Sequence, residues 1–135
     1  ASDVYKRQQQ AALAGHHIAK YNLGNCYYNG NGVEQDYQQA INWYQQAAEQ
    51  NIEGAMNKLG ECYQYGYGVE QDYQQAINWY QKAAEKGNGW AQDMLGSFYE
   101  YGKGVDKDVN LALSWYQKAA DNGNKHARTR LSRLA

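Results

Sequence analysis

The positive and negative charges of the chain nearly cancel. Its 13 Lys and Arg residues are balanced by 14 Asp and Glu residues, which leaves a formal net charge of −1. A surface that holds phosphate groups needs clustered Lys and Arg, so this balance argues against a general nucleic-acid-binding surface. Long hydrophobic runs are also missing, since no stretch reaches the roughly 20 apolar residues of a membrane-spanning helix. We therefore expect a soluble protein that does not enter a membrane.

Cysteine is scarce as well. The chain has two cysteines, Cys26 and Cys62, and this number is too small to indicate a redox compartment. The two lie 36 residues apart, and Phe98 stands another 36 residues further on. A position that accepts Cys, Cys and Phe is expected to be an apolar packing site rather than half of a disulfide.

The spacing of 36 residues runs through the chain. Residues 34–49 read EQDYQQAINWYQQAAE and recur at 70–85 with a single change, where Gln46 becomes Lys82. Trp43, Trp79 and Trp115 share the same spacing. A period in this range is typical of stacked helical hairpins, each too small to bury its own apolar face. The sequence thus predicts an all-α repeat protein.

Each repeat is predicted to contain two helices. The first covers residues 17–29, 53–65 and 89–101, where apolar side chains recur at i, i+4 and i+8 on one face. The second helix is predicted to begin after an aspartate that caps its free amide groups. These aspartates are Asp36, Asp72 and Asp108. A residue in the left-handed conformation is expected where each second helix ends. These positions are Gly15, Asn51, Gly87 and Gly123.

Aromatic residues and glycines mark the predicted helix packing. Tyr27, Tyr63, Tyr99 and the Trp-Tyr pairs fall on the apolar period and are predicted to lie in the core. The first helices also carry Gly24, Gly60 and Gly96 in their interiors. Glycine in a helix interior costs about 1 kcal/mol relative to alanine, so we expect a close helix crossing at each of these positions to offset the cost.

The period divides the chain into repeats at 16–51, 52–87 and 88–123. A partial second helix at 9–15 precedes them, and residues 124–135 are the first helix of a further repeat or a cap. The pattern fails in residues 1–8, where DVYKRQ at 3–8 matches the translation of a common sequencing-library adapter. We expect this segment to be non-native and the parent chain to extend further upstream; a divergent capping helix is the alternative. A non-native start also leaves open whether a signal peptide exists.

The full repeat pattern resembles a known family. A-x-x-x-L-G-x-x-Y-x-x-G-x-G-V-x-x-D-x-x-x-A-x-x-W-Y-x-K-A-A-x-x-G is legible at residues 55–87 and again at 91–123. It resembles the Sel-one-like repeat (SLR) family, whose repeats are similar to tetratricopeptide (TPR) repeats. The resemblance implies a right-handed α/α superhelical solenoid whose first helices line a concave face. It also implies a scaffold or adaptor that binds partner proteins.

Catalytic and metal-binding patterns are not found beside the repeats. His16, His17 and His126 have no Cys or carboxylate at metal-ligand spacing and are expected at solvated helix starts. The Gly-x-Gly loop that follows each first helix lacks the lysine of a phosphate-binding loop and recurs as a structural turn would. No nucleophile and base are paired in the sequence. We therefore predict no enzyme activity, no cofactor and no metal.

A polar stripe lies on the face of the first helices opposite their apolar residues. The repeats differ from one another along this stripe, while their apolar positions agree. Polar side chains with scattered tyrosines suit peptide recognition, because tyrosine brings contact area and a hydrogen-bonding tip; the alternative is an ordinary solvated face. The candidate partner-binding residues are Tyr21, Asn25, Tyr28, Asn57, Glu61, Gln64, Tyr65, Asp93, Ser97, Glu100 and Tyr101.

The predicted last helix is basic, with Lys125, Arg128, Arg130 and Arg133. It is either a patch for an acidic partner or nucleic acid, or a polar cap that ends the stack in water. Two other functions stay open for the chain as a whole. One is an RNA-reading helical repeat, against which the near-neutral charge counts, and the other is a spacer segment of a larger protein. Exposed hairpin faces at the ends would also allow self-association.

Overall fold

The computed structural model describes residues 2–134, except for the side chain of Ser2, and these residues form eight α-helices and no strand. The helices are α1 (Ser2–Leu13), α2 (His17–Asn29), α3 (Tyr37–Glu49), α4 (Glu53–Tyr65), α5 (Tyr73–Glu85), α6 (Gly89–Tyr101), α7 (Val109–Asp121) and α8 (Lys125–Leu134). The predicted first helices coincide with α2, α4 and α6. The predicted second helices are α3, α5 and α7.

The chain forms two compact units. The first ends at Gln71 and contains α1 to α4, and the second begins at Asp72 and contains α5 to α8. Within each unit every helix packs against the next one along the chain. Each unit therefore joins helix pairs of the kind that the repeat period predicts.

The predicted aspartate caps are present. In α3, Asp36 Oδ1 accepts a hydrogen bond from the backbone N–H of Gln39 at 3.2 Å. In α7, Asp108 Oδ1 accepts one from Leu111 at 3.0 Å. Asp72 accepts hydrogen bonds from two first-turn amides of α5. Each cap satisfies donors that the helix itself leaves without partners.

The predicted left-handed positions are also confirmed. Gly15, Asn51, Gly87 and Gly123 have φ angles of 90°, 64°, 88° and 88°. A Cβ added at Gly87 or Gly123 would meet no heavy atom within 4 Å. Glycine is therefore favoured there by the backbone conformation and not by lack of space.

Two of the three mid-helix glycines lie against a tyrosine of the neighbouring second helix. A Cβ added to Gly24 would lie 2.7 Å from Cδ1 and Cε1 of Tyr44. A Cβ added to Gly96 would overlap the ring of Tyr116. Both tyrosines have a relative exposure of 0%, so each ring fills the space that the missing side chain leaves. The expected close crossing is confirmed at these two positions.

Small apolar residues form a buried cluster in each unit. In the first unit, Ala12, Ala19 and Leu23 form a buried cluster, against which Tyr27 and Trp43 pack. In the second unit, the buried cluster comes from α7 and α8, with Tyr99 packed against it. Its residues are Ala112, Tyr116, Ala119, Ala120 and Ala127. Alanine allows the helix backbones to approach closely, and the aromatic rings fill the remaining volume.

Helix α1 joins the adapter-like segment to the predicted partial second helix. The side chain of Tyr5 packs edge-on against Tyr27, with ring centroids 5.9 Å apart. Their hydroxyl oxygens lie 3.2 Å apart, at hydrogen-bonding distance. Residues 3–8 thus belong to a helix that contacts the first repeat, and their non-native origin stays a prediction.

The cysteine position is an apolar packing site, as predicted. Cys26, Cys62 and Phe98 have relative exposures of 5%, 0% and 1%. Both thiols are free. Burial raises the pKa of the Cys26 thiol, and it raises the pKa of Cys62 to about 12. The side chains therefore act as small hydrophobic groups.

We predict that neither cysteine reacts with a thiol reagent such as Ellman's reagent while the chain is folded. The reaction requires the thiolate, and burial disfavours that form at both sites. At about pH 8, near the ordinary thiol pKa, labelling should be slow in buffer and complete for both thiols in concentrated urea. Rapid labelling of the folded chain would contradict the buried position of the thiols.

We predict that Gly96→Ala destabilises the chain although alanine favours helix formation. Helix propensity alone would add about 1 kcal/mol to the free energy of unfolding. The overlap with Tyr116 forces the ring or the helix to move, and overpacking of this kind costs roughly 1–3 kcal/mol. The midpoint of urea unfolding should therefore fall. Ser97→Ala, one residue along the same helix, is the control, and a midpoint for Gly96→Ala above that of the wild type would contradict the prediction.

Candidate functional site

The predicted polar stripe is only partly open to solvent. Tyr65 and Tyr101 have relative exposures of 53% and 54%. Gln64, Asp93 and Glu100 are buried, so they contribute to packing rather than to an open surface. The remaining stripe residues are half-buried. They are Tyr21, Asn25, Tyr28, Asn57, Glu61 and Ser97.

Asn25 satisfies the hydroxyl group of a buried tyrosine. Tyr44 donates a hydrogen bond from its hydroxyl group to Asn25 Oδ1 at 2.6 Å. The ring of Tyr21 lies nearby, with its centroid 6.0 Å from that of Tyr44. Burial, the largest cause, raises the pKa of Tyr44, so the hydroxyl stays protonated and remains a donor. Asn25 therefore has a structural role on the stripe.

Lys58 links α4 to α2 in the first unit. Its Nζ lies 3.4 Å from Glu61 Oε2, one turn further along α4. The same Nζ lies 4.4 Å from the centroid of the Tyr28 ring, in the position of a cation–π contact. One face of Tyr28 is thus covered by a positive charge that is itself paired with a carboxylate.

Four tyrosines of the first unit form a group that we call the tyrosine cluster: Tyr28, Tyr37, Tyr65 and Tyr67. The rings of Tyr37 and Tyr67 are stacked, with centroids 5.0 Å apart and an interplanar angle of 13°. Tyr28 meets Tyr37 edge-on at 5.3 Å, and Tyr65 lies 5.6 Å from Tyr67. Helices α2, α3 and α4 and the loop after α4 all contribute to the cluster.

Half of the tyrosine cluster was missed by the sequence analysis. Tyr28 and Tyr65 are stripe residues, but Tyr37 begins a second helix and Tyr67 lies in a Gly-x-Gly loop. The signal was present at Tyr67, since the equivalent loop positions hold Asn31 and Lys103. This loop position therefore varies between repeats in the same way as the stripe does.

In the second unit, Asp93 pairs with an arginine of α8. Arg130 Nε lies 3.0 Å from Asp93 Oδ1, and the relative exposure of Asp93 is 1%. Burial raises the pKa of Asp93, and the positive charge of Arg130 only partly opposes this effect. The carboxylate is therefore held inside the unit by its ion pair and is not available to a partner.

Glu100 is engaged by two donors at once. The hydroxyl of Tyr116 donates to Glu100 Oε1 at 2.7 Å, and Arg133 Nη1 lies 3.0 Å from Oε2. Burial alone would raise the pKa of Glu100, but the hydrogen bonds from Arg133 and Tyr116 outweigh it, so the pKa is lowered. Glu100 is thus an ionised group that joins α6, α7 and α8.

These ion pairs decide how much of the positive charge of the basic helix α8 is open to a partner. Arg130 and Arg133 are in ion pairs with α6, whereas Lys125 and Arg128 are exposed. Half of the positive charge predicted for a patch is therefore used to attach α8 to its own unit. This favours the interpretation of α8 as a polar helix that covers α6 and α7.

The described residues show no metal cluster, since no group of three His, Cys, Asp or Glu side chains converges among them. His16, His17 and His126 are exposed, as expected.

The Gly-x-Gly loops consist of left-handed glycines with φ between 67° and 75°, which is the geometry of a helix end. Across residues 2–134, no helix is both long and apolar enough to span a bilayer.

We predict that Glu100→Gln lowers stability at neutral pH and that the loss shrinks in acid. Because the pKa of Glu100 is lower in the folded chain than its ordinary 4.5, ionised Glu100 stabilises the fold above that pH. This contribution disappears as the pH falls from about 4.5 through the lowered folded pKa. Urea unfolding of both chains over a series of pH values measures the difference.

The control for this prediction is the same substitution in an Arg133→Met background. There the main charged donor to Glu100 is absent, so the pH-dependent difference should be smaller. A difference between Glu100→Gln and the wild type that grows toward low pH would contradict the prediction.

The Sel1 repeat family matches the chain in three consecutive stretches, at residues 17–52, 54–88 and 91–124. These stretches begin one, two and three residues after the predicted repeats. A Sel1 repeat protein from Oxalobacter formigenes is 42% identical and has a TM-score of 0.93. The alignment covers 98% of this chain and 54% of that one.

Two further solved structures are similar. The protective antigen c5321 of uropathogenic Escherichia coli strains, which displays an SLR fold, is 37% identical with a TM-score of 0.93 over 96% of this chain and 28% of its own. Cysteine rich protein B of Helicobacter pylori has a TM-score of 0.76 over 94% of this chain and 96% of its own, and at 24% identity it shows the fold alone. A comparison with curated proteins gave no match.

These comparisons confirm the predicted fold class, an α/α solenoid of TPR-like helix pairs. The chain spans about half of the Oxalobacter formigenes structure and less than a third of the Escherichia coli one. Sel1 repeat proteins are generally protein-interaction scaffolds and are typically non-catalytic. With three consecutive repeats matched over most of its length, the chain belongs to the Sel1 repeat family.

Proposed function

We propose that the chain is a non-catalytic module that binds a partner peptide or protein on the first-helix face of its units. In the first unit this face is formed by α2 and α4, and in the second by α6. The family has a general scaffold role, and the proposal names the surface of this chain that binds the partner. It is supported by the way the first two repeats differ and by the exposed tyrosines.

Differences between the first two repeats are concentrated on the first helix and its loop. Residues 17–33 and 53–69 differ at nine of 17 positions, whereas residues 34–49 and 70–85 differ at one of 16. The differing positions of the first repeat are 17, 18, 20, 21, 22, 25, 28, 29 and 31. The exposed side chains of α3 and α5 are also not required for packing, yet they differ only where Gln46 becomes Lys82. Uneven change of this kind is expected where the first helices recognise different parts of a partner, and it is the observation that carries the proposal.

Tyr65 and Tyr101 supply the exposed aromatic groups on these faces. They occupy equivalent repeat positions, 36 residues apart, and both are more than half exposed. Tyrosine is enriched among the residues that dominate binding energy at interfaces, because a rigid ring buries area at little entropic cost. Tyr65 and Tyr101 are therefore the expected hot spots of the two faces.

We predict that Tyr65→Ala and Tyr101→Ala weaken peptide binding without changing thermal stability. Peptides are selected against the wild-type chain from a random library displayed on phage, and the affinity of one synthetic winner is measured by titration. The Kd of a peptide that binds the first unit should rise by about tenfold with Tyr65→Ala, and the Kd of one that binds the second unit should rise by about tenfold with Tyr101→Ala, the effect of losing one aromatic hot spot. The melting temperature should stay near that of the wild type, because both side chains are largely exposed.

Gln38→Ala and Gln74→Ala are the matched controls, since both residues are exposed on second helices at equivalent positions. They should leave the affinity unchanged. Selected peptides that ignore both tyrosine substitutions and respond to the glutamine substitutions would move the site to the second helices and overturn the proposal.

A further inference from the structure

We infer that the tyrosine cluster of the first unit binds an extended proline-rich segment that carries a basic residue. The inference rests on the proposed function and makes it more specific, because it names the class of partner. The cluster also extends the proposed site beyond the helices, since Tyr67 lies in the loop after α4.

The rings of the cluster are held in place by their own unit. Gln35 Nε2 donates to the hydroxyl oxygen of Tyr37 at 3.1 Å and to the carbonyl oxygen of Tyr28 at 2.8 Å. A Cβ added at Gly68 would lie 2.8 Å from Cβ of Tyr37, so the loop that carries Tyr67 lies directly against the start of α3. Rings that are already ordered lose little entropy when a ligand arrives. The cluster is therefore a preorganised surface.

The spacing and chemistry of the rings fit a polyproline II helix. The rings of Tyr28, Tyr37 and Tyr67 form a compact group with centroids 5.0–6.2 Å apart, and the exposed ring of Tyr65 lies 5.6 Å from Tyr67. A polyproline II helix rises about 3.1 Å per residue, with about three residues per turn, so the cluster is on the scale of about one turn. Such helices dock into aromatic-lined grooves. Their backbone carbonyl groups make no internal hydrogen bonds, and tyrosine hydroxyl groups can donate to them.

The surroundings of the cluster are acidic. The two loops that flank it, residues 30–36 and 66–71, contain Glu34, Asp36 and Glu70 and no Lys or Arg. All three carboxylates are exposed. The nearby positive charge of Lys58 is already paired with Glu61. A partner that lies along the cluster is therefore expected to carry a positive charge at one end, in the manner of electrostatically matched interfaces.

The second unit does not repeat the cluster. A shift of one repeat, 36 residues, puts Gln64 in place of Tyr28 and Lys103 in place of Tyr67. Two of the four rings are therefore replaced by residues without an aromatic side chain. One proline-rich segment should therefore bind per chain.

The test is a titration with two labelled peptides, followed by fluorescence anisotropy. One contains about nine prolines, roughly three turns of polyproline II, and a terminal arginine. The other has glycine and serine in place of proline and the same arginine. The wild-type chain should bind the proline peptide at least about tenfold more tightly than its flexible counterpart, because the preformed helix has less entropy to lose.

Substitutions localise this binding. Tyr65→Ala should raise the Kd for the proline peptide by about tenfold, and it removes an exposed ring that the fold does not need. Tyr67→Phe should have a smaller effect, because it keeps the stacking and removes only the hydroxyl group. Trp90→Ala, which removes another exposed aromatic group at 43% relative exposure, should leave the affinity unchanged.

Equal affinity for the two peptides, or an affinity that Tyr65→Ala does not change, would overturn the inference. Binding of an N-acetylglucosamine oligomer in place of the proline peptide would also overturn it and would indicate a glycan site. If library-selected peptides still require Tyr65 or Tyr101 while the proline peptide fails, the inference falls and the proposed function stands. If the library yields no peptide that depends on either residue, the proposed function itself falls.

Discussion

The contact between a tyrosine ring and a glycine determines how the pair α2 and α3 and the pair α6 and α7 are built. At Gly24 and Gly96 the absence of a side chain lets the rings of Tyr44 and Tyr116 lie directly against the first helix. A fully buried tyrosine also needs a partner for its hydroxyl group. The partners are Asn25 and Glu100, both on the polar stripe of the first helices. The packing of the core therefore dictates the identity of some stripe residues.

One position of the first helix makes different contacts in the two units. In the first unit, Tyr28 lies beneath the ammonium group of Lys58 from the next first helix. In the second unit, the equivalent position holds Glu100, which pairs with Arg133 from the next first helix. A cation from the following helix thus meets an aromatic ring in one case and a carboxylate in the other. The aromatic version leaves rings at the surface, whereas the ionic version encloses its charges and joins helices.

The fold was predictable from the sequence because a repeated core imposes a strict period. The bounds of α2, α4 and α6, the aspartate caps and the burial of Cys26 and Cys62 all follow from residues that recur every 36 positions. The periodic pattern places apolar side chains because their environment is the same in every repeat. For the same reason it identified the Sel1 repeat family.

The polar contacts were not predictable in the same way. The pairing of Asp93 with Arg130 joins residues that do not recur, and it depends on the reach of one long side chain from α8. The stacking of Tyr37 on Tyr67 joins a helix start and a loop tip, which no helical period brings together. Stripe residues such as Asp93 and Glu100 therefore seemed open to solvent in the sequence, while the structure encloses them.

The helix pair also has a genetic consequence. The near-identical segments at 34–49 and 70–85 begin at the same point of their repeats. Unequal crossing-over between them would remove or insert one whole repeat of 36 residues and leave every cap, left-handed turn and glycine–tyrosine contact intact within the repeats that remain. Stability in such arrays is close to a sum over units and their neighbours. The number of repeats can therefore change in evolution, and the length of the array with it, while the core residues of each repeat stay the same.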